Sequence, residues 1–183
     1  PLSDARIRAF QERMERLGRP NIGALLELQR ALGLRAMEAV RAGQADTLHR
    51  LHRELAQSGC ARVFDGTKNG RPREVHPADI GRALAAVQRV LEILEASGTR
   101  FLVTQANGAE TTGLKQAANI YRNICKRAGL QSHATRYAFS EERIQAYRSE
   151  GYSVREARVA TSLDHGHGDG RGRYVASVYA RSS

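Results

Sequence analysis

His133-Ala134-Thr135-Arg136-Tyr137-Ala138-Phe139 opens a stretch that reads as helix to about Ser149. His133 and Arg136 stand three residues apart, so a helix puts them on one face. The free amides of the helix start add partial positive charge toward any anion held there. A lone histidine at such a position most often caps or packs. Paired with Arg136, it reads as a proton acceptor or phosphate ligand beside a cationic clamp.

The segments around this stretch are helical too. Upstream, Leu114, Ala118, Tyr121, Cys125 and Ala128 form one apolar stripe that Gly129 ends. Asp79 caps a longer helix with the stripe Ile80, Ala83, Leu84, Val87, Val90, Leu91 and Leu94, closed by Ser97-Gly98. Near the start of the chain, Ser3 and Asp4 precede Ile7, Phe10, Met14 and Leu17, a stripe stopped by Gly18 and Pro20. A second helix is predicted over 21–32, broken at Gly33, and a third from about Ala36. Residues 45–57 are helical in composition, and Phe101-Leu102-Val103 reads as a buried strand or a packed connector.

The one clear β signal is Arg62–Asp65 paired with Arg73–His76 across Gly66-Thr67-Lys68-Asn69-Gly70-Arg71-Pro72, a run of turn residues with Lys68 at or near the tip. Downstream, 154–162 is predicted helical, 164–173 is a glycine-rich connector, and Tyr174, Val175, Val178 and Tyr179 sit in a short last helix. The expected fold is mainly α, with a small antiparallel hairpin on one edge.

Charge narrows the partners. Lys and Arg number 29 against 19 Asp and Glu, a formal charge of +10 and a pI near 10.4. Such an excess suits a polyanion, because each cation placed near a phosphate releases a condensed counterion. Two cysteines without short spacing, Cys60 and Cys125, argue against a disulfide framework and a cysteine-rich zinc site. They fit a reducing compartment. No apolar run approaches the roughly 18 residues a membrane span needs, and no signal peptide is visible.

Phosphodiester transfer without a metal has defined needs. The pentavalent transition state gathers charge on its non-bridging oxygens, which arginine holds with two parallel donors. A nucleophile and a proton donor to the departing alkoxide complete the set. His165-Gly166-His167, with Asp164 and Asp169, also admits a metal reading, but no further ligand cluster accompanies it.

Taken in order, these motifs resemble the tyrosine site-specific recombinases, the phage-type integrases. Ala31-Leu32-Gly33-Leu34-Arg35-Ala36-Met37-Glu38 is similar to the family's first arginine motif, and 133–139 to its His-x-x-Arg box. Residues 66–73 are similar to its lysine hairpin, and Leu163-Asp164-His165-Gly166-His167-Gly168 to its Leu-Gly-His element. Each motif alone is weak; the order Arg, Lys, His-x-x-Arg, His, Tyr in one basic helical chain is specific. The resemblance implies a catalytic set of Arg35, Lys68, His133, Arg136, His167 and Tyr179, with Lys68 protonating the 5′-oxygen. Arg71 and Arg73 are expected as contacts to the DNA backbone, and Glu38, one turn after Arg35, as a residue that orients a neighbouring cation or stays solvated.

The nucleophile has two candidates. Gly166-His167 restores the family's Gly-His pair and favours Tyr179, on a helix that Val175 and Val178 would dock. The family's usual spacing of about nine residues favours His165 with Tyr174. The resemblance further implies double-stranded DNA as partner, self-association into a tetramer on it, and no cofactor or metal. It also implies a DNA-associated, cytoplasmic, prokaryotic setting. Residues 1–183 are read as one catalytic domain, with the family's N-terminal DNA-clamping domain outside it. Two other functions fit the same residues: a type IB-like topoisomerase, and a DNA-binding module that keeps the fold without cleavage.

Overall fold

Ser3 starts the first helix by accepting a hydrogen bond from the Arg6 amide at 3.3 Å, and α1 runs Asp4–Arg16 with Ile7, Phe10 and Met14 buried. The structure is a computed structural model that describes residues 2–64, 72–131 and 133–165. Leu17, predicted as the end of the apolar stripe, is instead the exposed C-cap, because the chain turns away through Gly18. Pro20, expected to end α1, serves as the first residue of α2 (Pro20–Ala31), where its missing amide costs nothing.

After Gly33 come α3 (Ala36–Ala42) and α4 (Ala45–Ser58). The strands β1 (Ala61–Val63) and β2 (Arg73–Val75) pair antiparallel, Ala61 with Val75 and Val63 with Arg73. Both are shorter than the sequence suggests. Then follow α5 (Ile80–Ser97), α6 (Leu114–Arg127), α7 (Ala134–Ser149) and α8 (Val154–Asp164). Asp79 caps α5 through the Arg82 amide at 2.8 Å, as expected, but Ile80 in the first turn points to solvent. Phe101–Val103 forms no strand: it is a packed connector, with Leu102 and Val103 buried and an isolated bridge at Thr104 and Glu110.

Among the described residues the architecture is mainly α, eight helices and one two-stranded sheet. Helix α2 forms the centre, packing on α1, α5, α3 and α7. Its Ile22, Leu25 and Leu28, and the C-cap Leu32, are buried on nearly all sides, each worth about 1.5–3 kcal/mol of removed apolar surface. The sheet lies at the edge, with α4 against β1 and α8 against β2. No described helix is long and apolar enough to cross a membrane. The layout brings four positions together: the α2–α3 turn, the start of α7, the end of α8 and β2.

Candidate active site

The α2–α3 turn depends on Gly33. Its φ of +58° lies in the left-handed region, where a side chain costs about 1–2 kcal/mol. An added Cβ would also stand 2.6 Å from the Phe139 ring. With no side chain there, the Gly33 carbonyl is free to accept from two arginines, Arg136 Nη1 at 2.7 Å and Arg73 Nη2 at 3.2 Å.

Arg35 is the N-cap of α3. Glu38, at the third helical position, turns its carboxylate back to accept from the Arg35 amide at 2.8 Å and from Arg35 Nη1 at 2.7 Å. The same carboxylate accepts from Arg73 Nη2 at 2.8 Å and lies 3.9 Å from Arg136 Nη1. Glu38 is therefore the buried hub of three arginines. Burial alone would push its carboxyl up, but Arg73, Arg35 and Arg136 outweigh this and hold it below the usual carboxylate range.

Arg73 corrects the sequence reading. It was expected as a surface contact to DNA, but its side chain is only 3% exposed. Besides Glu38 and Gly33, it donates through Nη1 to the Asp164 carbonyl. A guanidinium spent on three internal acceptors is a tie between β2, the α2–α3 turn and the end of α8, not a groove contact. On an edge strand with a buried-exposed-buried pattern, Arg73 falls on the inward face, and that alternation was the signal available in the sequence.

Arg136, in the first turn of α7, is 1% exposed. It reaches the Gly33 carbonyl and, at 3.4 Å, the His165 carbonyl. His133 is the N-cap of the same helix. Its imidazole is held below the ordinary histidine value, first by burial and then by the positive charges of Arg136 and Arg35. The fold thus brings Arg35, His133 and Arg136 within one electrostatic neighbourhood, although Arg35 and Arg136 are a hundred residues apart in the chain. Arg35 alone of the two arginines keeps solvent access, at 25%.

His165 caps the C-terminus of α8 and is buried. Its Nε2 shares a 2.5 Å hydrogen bond with Ser140 Oγ, and its ring meets Phe139 edge-on at 5.5 Å. Neighbouring Asp164 accepts from Arg143 Nε at 3.1 Å and from the Tyr147 hydroxyl at 3.2 Å. Burial nevertheless keeps its carboxyl above the ordinary value. Asp164 and His165, two of the four residues in the metal reading, are thus both held by side chains of α7. Phe139 was read only as the last residue of the His-x-x-Arg box, and Ser140 and Arg143 escaped the sequence reading, yet all three follow Arg136 at three, four and seven residues, the spacing of one helical face. Lys68, Arg71, His167, Tyr174 and Tyr179 lie outside the described residues.

Among the described residues this is a mainly helical domain in which two arginines and a histidine lie around a helix start. A family profile described as Integrase matches residues 2–145, most of the chain, and the chain belongs to this integrase family. It is accordingly a DNA-binding protein of recombination and integration. The match stops before His165, His167, Tyr174 and Tyr179. No curated protein and no solved structure matches the chain.

Proposed function

We propose that the chain cleaves and rejoins DNA at specific sites through a 3′-phosphotyrosyl intermediate. The observation that carries this reading is the convergence of Arg35, His133 and Arg136 on the α2–α3 turn, with a buried glutamate balancing their charge. Tyr179 Oη attacks the scissile phosphorus and its proton passes to a neutral acceptor, the role that suits His133, whose pKa is held down. The bond to the 5′-oxygen breaks, and Lys68 supplies the proton that the departing alkoxide takes up. Arg35 and Arg136 hold the non-bridging oxygens while charge accumulates there. His167 completes the donors. The phosphotyrosyl bond keeps the energy of the broken phosphodiester, so the 5′-hydroxyl of a second duplex reverses the step without a metal or nucleotide. Exchange between two duplexes calls for several subunits, and we assign the active form to a tetramer on DNA, with Arg71 on the backbone beside the hairpin.

Arg136 donates to the carbonyls of Gly33 and His165 in the present arrangement. These two bonds use two of the five guanidinium N–H donors, and they tie Arg136 to the α2–α3 turn and to the end of α8. The test is a nicked suicide substrate that traps the covalent adduct. Peptide mapping should place the adduct on Tyr179, and Tyr179→Phe should abolish it while DNA is still bound. An adduct on Tyr174 would move the roles to Tyr174 and His165. Absence of any adduct in a folded protein that binds its site would overturn the cleavage reading.

A further inference from the structure

The hairpin has a second feature, separate from the arginine cage. Strand alternation divides β1 and β2 into an inward face, with Ala61, Val63, Arg73 and Val75 buried or nearly so, and an outward face with Arg62 and Glu74. Continuing the register of Ala61 with Val75 by one residue sets Cys60 opposite His76. Cross-strand partners have Cβ atoms about 4.5–5.5 Å apart, and residues two apart share a face. Cys60, Glu74 and His76 are thus gathered on the outward face by strand pairing itself. One ligand atom from each, the Cys60 thiol, a Glu74 carboxylate oxygen and a His76 ring nitrogen, lies within 4.8 Å of the other two. His76 Nε2 and Glu74 Oε1 are already 2.8 Å apart.

We propose that Cys60, Glu74 and His76 form a zinc(II) site at the end of β1 and β2, the two strands between which Lys68 falls in the sequence. The donor set selects the metal: a thiolate and an imidazole favour zinc over magnesium or calcium, which take oxygen. In a tetrahedral site with bonds of about 2.0–2.3 Å, ligand atoms stand roughly 3.3–3.6 Å apart. The His76–Glu74 pair opens slightly from 2.8 Å to reach that spacing, and the Cys60 thiol already lies within 4.8 Å of both. The side chains of His76 and Glu74 are 42% and 45% exposed, so the rotamers are free to move and the metal has an entry path. Three protein ligands leave the fourth position to water. Binding releases the Cys60 thiol proton to solvent, and the carboxylate exchanges its hydrogen bond from His76 for the metal. Ser58 Oγ lies 3.2 Å from Cys60 Sγ, and its hydroxyl, turned from the Glu54 carbonyl, would donate to the bound thiolate.

The consequence is mechanical. Cys60 enters β1 and His76 leaves β2, so one ion would clamp both ends of the segment in which Lys68 lies. His76 is also close enough to Asp164 to bias its ionisation, and β2 packs on α8. A metal there sets the hairpin without taking part in phosphoryl transfer, and the site stands whether or not the cleavage reading does.

Cobalt(II) is the probe, added to the reduced 183-residue chain. Binding should give a thiolate-to-cobalt absorption band in the near ultraviolet and tetrahedral d–d bands in the visible. Zinc should displace both, and should raise the melting temperature. Cys60→Ser should remove the near-ultraviolet band and the zinc-dependent rise in melting temperature. His76→Ala and Glu74→Gln should each weaken zinc at least tenfold by chelator competition. Cys125→Ser is the control: that thiol is buried and pushed up to about 11 by its burial, so the variant should keep the band. No thiolate band with cobalt, or a band that survives Cys60→Ser, overturns the proposal.

Discussion

Replacing Glu38 by glutamine keeps the shape of the side chain and removes one charge. The carboxylate is fully buried and faces Arg73, which is almost as buried, and Arg35. Removing one partner of a buried pair costs about 3–5 kcal/mol, because the other charge is left uncompensated. Two features move the estimate to the low end of that range. The amide oxygen still accepts one hydrogen bond, and Arg73 retains the carbonyls of Gly33 and Asp164. We expect a loss of about 3 kcal/mol. In urea unfolding with a slope of about 2 kcal/mol per molar, the midpoint should fall by roughly 1.5 M without a change in slope. The pH dependence has a definite sign. Glu38 is held below its ordinary value, so the unfolded chain takes up the proton first as pH falls. The stabilisation is present above the ordinary carboxylate range and is lost as pH drops through the depressed value. Glu38→Gln should therefore shrink the acid limb of the stability curve as well as lower the plateau. Adding Arg73→Gln to Glu38→Gln should cost less than the sum of the two single changes, since they share one interaction. A midpoint shift below about 0.5 M, or full additivity, would refute the hub.

Gly33→Ala adds a Cβ at φ +58° and 2.6 Å from the buried Phe139 ring. Backbone strain and overpacking together should cost about 2–4 kcal/mol, read as a lowered midpoint that a smaller residue at position 139 restores in part. Arg35→Ala and Arg136→Ala should each slow single-turnover cleavage by on the order of a hundredfold or more. A near-normal rate in a folded variant removes that arginine from the clamp. The His133 pKa is held below the ordinary histidine value, so cleavage at subsaturating DNA should stay flat from neutrality down to that value and fall only below it. His133→Gln should abolish this acid limb, and an unchanged profile would exclude His133 as the proton acceptor. With a formal charge of +10, DNA affinity should fall steeply with salt: about five phosphate contacts give a slope of log affinity against log salt of roughly −4 to −5, and a slope near zero would exclude a phosphate-driven interface.

Periodicity and punctuation in the sequence determined the elements: the apolar stripes of α1, α5 and α6, the serine and aspartate caps, and the paired strands around a turn-rich run. These are local properties, because spacing along a helix or strand fixes which residues share a face before any tertiary contact forms. Arg35, His133 and Arg136 were legible for the same reason, as motifs within a few residues. What surrounds them was decided only in three dimensions. The Glu38–Arg73 pair spans 35 residues, the bond from Arg73 to the Asp164 carbonyl 91, and the bond from Arg136 to the Gly33 carbonyl 103. Strand alternation puts Arg73 on the same face as Val75, but it does not say what that face meets. In the structure Arg73 meets the end of α8 and the α2–α3 turn. There the cost of burying a guanidinium is offset only because a carboxylate and two carbonyls arrive from distant parts of the chain.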